Sequence, residues 1–407
     1  MITQSTYDVI IIGAGLSGLV SAIQCQSHGL STLLVDAHSE PGGRIRSDRI
    51  SGAICDHGFQ VFLPSYPIAS DLFSSLPINW CYYPRMASIL TSSPSWFGMA
   101  SPFYSTRLFG PKCQPSVRDY IQLAIDCCRG GWSKPQWSLP LDLDSHIDNH
   151  YSPAFAKAFL KPFFRSVFLD PSLRVSTALF SFYLYLFLRG GAAIPSGGMG
   201  QITSALANQL TDHTLQLNQP VRQLIHSQDH WSITTSSHSL TAAHVIVATD
   251  HYQASQLCDW IKPPKRSLPV STHFFLSDTA VPTLGPLTLI PSNDTCHHIA
   301  CPTLIAPEYT ESNHHLYMVT TLGQSSVPQA AVIQHLRDLN CHGVDDWQWI
   351  HHIAIERSLP TIDDCDTAVS PYPNLTLAGD WTSMPSIEGA CRSGLDAANA
   401  AIRAVHS

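Results

Sequence analysis

A carboxylate and three glycines near the start of the chain have the types and spacing for chemistry on an extended anionic ligand. Gly13, Gly15 and Gly18 keep a G-x-G-x-x-G spacing, and Asp36 closes the apolar run Thr32 to Val35. Gly13 permits a tight turn, Gly15 lets a pyrophosphate touch backbone, and Gly18 lets a helix pack closely on a strand. Leu16 and Ser17 open that helix, whose N-terminus offers unpaired N–H groups and a partial positive charge to phosphates. Asp36 is placed to accept both hydroxyls of an adenosine ribose.

The elements that position these groups are written around them. Val9 to Ile12 is an unbroken apolar run of the kind a strand buried on both faces requires. Leu19, Ala22 and Ile23 continue as a helix. Strand, glycine turn, helix, strand and acid form a complete βαβ dinucleotide-binding unit. A glycine-rich turn on a buried strand would explain the glycines and leave Asp36 without a purpose.

Pro41-Gly42-Gly43-Arg44 follows almost at once. The run VDAHSEPGGRIRS, from Val35 to Ser47, resembles the second-strand motif of the flavin-dependent amine oxidase superfamily, which includes monoamine oxidases, protoporphyrinogen oxidases and phytoene desaturases. The resemblance implies FAD, with Asp36 on the adenosine ribose and Gly42, Gly43 and Arg44 by the pyrophosphate and flavin. There the guanidinium is a fixed cation. Asp56 and Gly58 match an acid-x-glycine element that leads His57, Gly58, Phe59 and Gln60 past the isoalloxazine. His57 is the one acid–base candidate, although a histidine near a flavin more often packs or hydrogen-bonds. In the QPVRQL strand, Val221 is implied to meet the adenine through its backbone.

A second stretch, LAGDWTSMPSIEGACRSG from Leu377 to Gly394, resembles the C-terminal flavin motif of the same superfamily. It implies Gly379 and Asp380 at the ribityl chain. Ser386, Ile387 and Gly389 open a helix whose N–H groups face the flavin N1/O2 edge, where reduced flavin carries negative charge.

The implied fold class is α/β. A Rossmann-like FAD-binding domain, a parallel sheet with a β-meander, is interleaved with a smaller α+β substrate domain. Residues 1–76, 190–250 and 347–407 are expected in the first, and 77–189 and 251–346 in the second. The meander is expected over Leu215–Leu217, Val221–Ile225, Trp231–Thr234 and His244–Ala248. Ser116 can cap a helix with apolar positions Ile121, Ala124, Ile125 and Cys128, and further helices are expected at Pro153–Phe164 and Val327–Leu339. Trp96, Phe97, Phe103 and Tyr104 crowd the start of the inserted part.

At 407 residues, 44% of them hydrophobic, the chain is large enough for two interleaved cores. A net charge of −8 argues against nucleic acid as a partner. With the first strand beginning by Asp8, no room is expected for a signal peptide, and the 12 cysteines read as reduced thiols of a cytoplasmic protein. Thr177 to Leu188, TALFSFYLYLFL, is the most apolar stretch and falls short of the roughly 20 residues that span a bilayer. Three readings of it stand open: a buried helix lining a hydrophobic pocket, a peripheral membrane contact, or a homodimer contact.

No metal is expected. Cys296-His297-His298 with Cys301 has ligand types but lacks a second well-spaced pair, and Asp363, Asp364 and Asp366 read as a solvated turn. The amine-oxidising branch usually carries a lysine near flavin N5 on a late substrate-domain strand. Here no lysine follows Lys265, and Val270 to Leu276 offers Ser271, Thr272 and His273 instead. The reading is therefore a desaturase-like or protoporphyrinogen-oxidase-like dehydrogenation of a hydrophobic small molecule, its electron acceptor left open. The alternatives are an amine oxidase using water near N5 and a non-catalytic lipid carrier of the same architecture.

Overall fold

Val9, Ile10, Ile11 and Ile12 are all but inaccessible to solvent, as a strand flanked on both faces must be. They belong to β1 (Thr6–Ile12), which pairs in parallel with β2 (Thr32–Val35) on one side and β3 (Ser239–Val247) on the other. The computed structural model describes residues 6–91, 95–98, 115–132, 142–291, 295–361 and 369–406. The chain is a mixed α/β protein with a Rossmann-like parallel sheet at its centre.

β3 is shared between two arrangements. Its first half pairs antiparallel with His230–Thr235, which pairs with Val221–Ser227; its second half pairs in parallel with Leu375–Leu377. The meander thus has three strands. Leu215–Gln216, expected as a fourth, lies instead beside β2 as a parallel edge. Two helices pack together over this sheet: α1 (Leu16–Ser27) and the C-terminal Ile387–His406. A Cβ at Gly394 would sit 2.5 Å from the Ser17 carbonyl oxygen, so that contact is backbone on backbone.

The second sheet is built around β4 (Val270–Ser277), every residue of which is buried. β5 (His298–Ala300) pairs with β6 (His315–Leu322), which pairs with β4, and β7 (Gln348–Ile355) closes the edge on the other side of β4. The expected boundary at 346/347 is therefore corrected in one respect. β7 follows it in sequence yet joins the second sheet, because its backbone groups pair with β4. Met86–Ile89 and Ser95–Gly98 complete the far edge.

Helices cover the cavity between these sheets. Helix α2 (Val117–Trp132) starts with a reciprocal capping box: the Asp119 N–H donates to Ser116 Oγ at 3.2 Å, and the Ser116 N–H donates to Asp119 Oδ2 at 2.6 Å. Its apolar stripe faces outward, with Val117 77% and Ile121 58% exposed. The inward side carries Asp119 and Asp126, both buried. Beneath it runs α3 (Thr177–Gly190), the most apolar stretch of the sequence, with Leu179 to Leu184 and Leu186 buried. The helix expected at Pro153–Phe164 continues to Phe168 and contains a π-helical turn over Ala156–Leu160. Among the described residues no helix is long and apolar enough to cross a membrane. Phe103, Tyr104, Asp363, Asp364 and Asp366 lie outside the described residues, and for Trp96 and Phe97 the description covers only their strand.

Candidate functional site

The turn after β1 is closed by backbone. The Gly13 N–H donates to the Val35 carbonyl at 2.8 Å, and the Ala14 N–H donates to Asp36 Oδ2 at 2.6 Å, locking the acid beside the glycine turn. Asp36 Oδ1 accepts from the His38 N–H at 2.8 Å. Gly18 packs where a Cβ would fall 1.9 Å from the Gly13 carbonyl oxygen, the close helix–strand contact its position demands. Gly42 forms a bridge with Gly15 and donates its N–H to the Ala14 carbonyl at 2.8 Å, which brings Gly42, Gly43 and Arg44 to the same turn.

Arg44 joins the two ends of the chain. Its Nη2 lies 2.5 Å from Asp380 Oδ1 and its Nη1 donates to the Ser358 carbonyl at 2.9 Å. Burial works to lower the guanidinium pKa, but Asp380 and then Asp250 outweigh it and hold the cation above its ordinary value. Gln60 donates to the carbonyls of Arg44 and His57 at 2.7 and 2.9 Å. Asp56 anchors this segment from below, accepting from Ser47, Tyr309 and the Met199 N–H. Burial pushes its carboxyl pKa up despite those three donors.

Ser386 caps the C-terminal helix, hereafter α4 (Ile387–His406): the Gly389 N–H donates to Ser386 Oγ at 2.9 Å. The Gly379 N–H is held by Ser393 Oγ at 2.9 Å, fixing the turn that carries Asp380 to α4.

One continuous cavity of about 1040 Å3 runs between these segments. From the N-terminal half it is lined by Gly13, Gly15, Leu16, Ser17, Asp36, Gly42, Gly43, Arg44, Gly58, Phe59 and Gln60. Val221, Gly379, Asp380, Ser386 and Ile387 line it from the later segments. Asp36 and Asp380 thus face the same space. Two expected contact residues do not reach it. Gly18 is occupied in packing α1 on its strand, and Gly389 is pressed against Met384, where a Cβ would fall 2.0 Å from a carbonyl oxygen. His57 lines the cavity, but its Nε2 bonds Asp48 at 2.8 Å and its other nitrogen faces Arg46 at 3.5 Å. Burial, acting first, lowers its pKa.

Several lining residues lie beyond the expected cofactor contacts, two of them, Tyr183 and Phe187, on the apolar helix for which a pocket-lining role was one expected reading. Gln219 bonds the Asp36 carbonyl through its N–H at 2.8 Å, and Asp250 follows the end of β3. Phe159, Phe163, Tyr183 and Phe187 form an aromatic wall. The i, i+4 spacing of Phe155, Phe159 and Phe163 was a usable signal: their rings stack at 5.8 and 5.3 Å. Cys296 and Cys301 are buried in the second core, and among the described residues no group of three or more metal-ligating side chains comes together.

The sequence profile of the flavin containing amine oxidoreductase family matches residues 142–402, well over half of the chain. The chain belongs to that family. A NAD(P)-binding Rossmann-like domain profile matches residues 11–76, ahead of it. As a member, the protein is an FAD-dependent oxidoreductase, which sets aside the carrier reading. Curated relatives match over short segments: a hydroxyneurosporene desaturase of Rubrivivax gelatinosus, 42% identical over 14% of this chain and 11% of its own length; a phytoene desaturase (lycopene-forming) of a Paracoccus species, 35% identical over 28% and 20%; and the mitochondrial protoporphyrinogen oxidase of Nicotiana tabacum, 34% identical over 19% and 15%. These matches span no more than about a fifth of those relatives. A putrescine oxidase double mutant superposes with a TM-score of 0.74 at 15% identity, covering 98% of this chain and 100% of that one. Cyclohexylamine oxidase from Brevibacterium oxydans superposes at 0.73 and 17%, with the same coverage of both chains. Both show the fold.

The residues present fit an FAD. A Cβ at Gly15 would meet nothing within 4 Å, so the turn leaves room beside its backbone. Helix α1 has no side-chain cap to compete for its first-turn N–H groups. Arg44 sets a permanent cation on the cavity wall.

Proposed function

We propose that this oxidoreductase dehydrogenates a hydrophobic small molecule, in the manner of a desaturase or a protoporphyrinogen-type oxidase. In this reading α1 and Arg44 hold the pyrophosphate, Asp36 the ribose, Val221 the adenine, and Asp380 the ribityl chain. Gly42, Gly43 and the segment Gly58–Gln60 pass beside the ring system, and the N-terminus of α4 at Ser386 and Ile387 faces its anionic edge. When bound, the flavin supplies a hydride acceptor, and the chain orients substrate against it and keeps water out.

The observation that supports the substrate class is the aromatic wall. Phe163 meets Phe187 edge-on at 5.1 Å, and Phe168 meets Tyr183 edge-on at 5.4 Å behind it. The cavity residues contributed between 159 and 187 are Phe159, Phe163, Ser166, Val167, Leu169, Tyr183 and Phe187, with no acid or lysine among them. An ammonium substrate would find no carboxylate there, whereas a polyene or tetrapyrrole skeleton is matched in polarity. The segments shared with two carotenoid-type desaturases and a protoporphyrinogen oxidase support the same class.

The FAD-loaded protein mixed anaerobically with a panel of amines, carotenoid precursors and porphyrinogens tests this. Bleaching of the flavin absorbance by an isoprenoid or porphyrinogen is expected. Bleaching by amines alone would replace this reading with the amine-oxidising one that the shared fold also accommodates.

A further inference from the structure

His298 is fully buried on β5, whose register sets it opposite Thr320 of β6. Directly opposed residues of an antiparallel pair share a face. His298 therefore stands on the face that presents Thr320 to the cavity. Its ring centroid lies 5.1 Å from that of Phe59, and its Nδ1 lies 2.9 Å from the hydroxyl of Ser166. Phe59 and Ser166 both line the cavity, so three of its walls close around this one imidazole.

The hydrogen-bond pattern favours one tautomer. With the Ser166 hydroxyl donating to the Pro162 carbonyl at 3.0 Å, its oxygen accepts from His298 and both bonds form, whereas donation to Nδ1 forgoes one of them. The proton of the imidazole is then on Nδ1, and Nε2 is a bare lone pair. Nε2 is shut off from solvent and has no hydrogen-bond partner. Burial, with His297 adding to it, pushes the pKa of this ring down to about 3, so the lone pair stays available across the ordinary pH range. Buried polar atoms with no partner are rare because they forfeit their hydration and gain nothing in return.

We propose that Nε2 of His298 is a substrate subsite, accepting a hydrogen bond from one O–H or N–H donor carried on an otherwise apolar skeleton. This rests on the hydrophobic-substrate reading above and narrows it. A pure hydrocarbon leaves Nε2 unpaired, whereas an alcohol, a phenol or a heterocyclic N–H satisfies it. His298 lies behind the cavity wall, with the half-buried Phe59 ring against it and edge-on to Tyr83 at 6.1 Å, so binding at Nε2 requires that ring to move aside. His298 is a specificity-determining group here and takes no part in the hydride step.

The test is titration of the FAD-loaded full chain with 2-naphthol and 2-methoxynaphthalene, reading Kd from the perturbed flavin spectrum. The two probes share a skeleton and differ in one donor. Simple partitioning favours the ether, so the order of affinities is informative. The wild type should bind the naphthol about tenfold more tightly, the size of one neutral hydrogen bond. His298→Phe should abolish the preference, and His298→Gln, which keeps an acceptor, should retain part of it. Equal affinities in the wild type, which need no variant to measure, would overturn the subsite, as would a preference that survives in His298→Phe. If neither probe disturbs the flavin, the apolar compartment itself fails and the subsite with it.

Discussion

Arg44 and Asp380 lie 336 positions apart in sequence and meet at 2.5 Å. The pair ties the first glycine-rich segment to the turn ahead of α4, and its two members differ in solvent access. Asp380 is 4% exposed, whereas the Arg44 side chain keeps 34% of its surface accessible. Arg44→Met should therefore destabilise the flavin-free protein by about 2 kcal/mol, discounted from a fully buried pair, by stranding the Asp380 carboxylate. Arg44→Met with Asp380→Leu should cost less than the two single changes summed. Urea unfolding of the four proteins closes the cycle, and strict additivity would show that the contact carries no coupling.

Gly15 and Gly18 should fail in different ways. A side chain at Gly15 enters open space on the cavity side, so Gly15→Val should lose its flavin and melt at the temperature of the flavin-free wild type. A side chain at Gly18 collides with the Gly13 carbonyl, so Gly18→Val should lower the yield of folded protein. The ratio of flavin to protein absorbance, read beside circular dichroism, separates the two.

Asp126 should be a strong determinant of stability although it lies far from any chemistry. It accepts from Gln122 at 3.0 Å, His146 at 3.0 Å and Tyr151 at 2.8 Å, pinning α2 to the helix Leu143–His150. Asp126→Ala should cost about 3 kcal/mol by leaving buried donors unpaired. Burial alone would raise this carboxyl pKa, but the bonds from His146, Gln122 and Tyr151 overcome it and hold it below the ordinary value. A depressed folded pKa stabilises above the unfolded value, about 4, and that contribution fades as pH falls through the folded value. Wild type should lose more stability than Asp126→Asn between pH 5 and strongly acidic conditions, as followed by thermal melts at stepped pH.

His57→Gln should retain activity to within about tenfold. Both ring nitrogens are directed at Asp48 and Arg46, which is the geometry of a fixed wall residue. General acid–base groups contribute about a hundredfold or more, so a loss of that size in the anaerobic flavin-reduction rate would make His57 catalytic after all.

The glycine turn, Asp36, Arg44 and Asp380 could be read from sequence because each sits in a contiguous run whose periodicity and turn chemistry are local. What stayed hidden depends on distant partners. β7 has the alternation of a strand, but nothing in Gln348–Ile355 states that β4 is its neighbour. Ile121 and Ile125 mark a helical stripe that ordinarily faces a core. Here the buried bonds of Asp119 and Asp126 turn that helix over and leave the stripe outside. His298 looked like one member of a chance cysteine–histidine cluster. Its isolation from Cys296 and Cys301, and its place behind Phe59, follow from the register of β5 on β6, which no single segment encodes.

The packing of α1 against α4 has a consequence for biosynthesis. The Ser21 hydroxyl is shared between the carbonyls of Ser17 and Gly394, and Gln24 donates to Asn399, so these partners of the first helix arrive only after some 370 further residues have left the ribosome. Until then the face of α1 that packs on α4 stays uncovered, and Asp380 is absent from the cavity wall. A cofactor site that needs both helices is therefore completed late in synthesis.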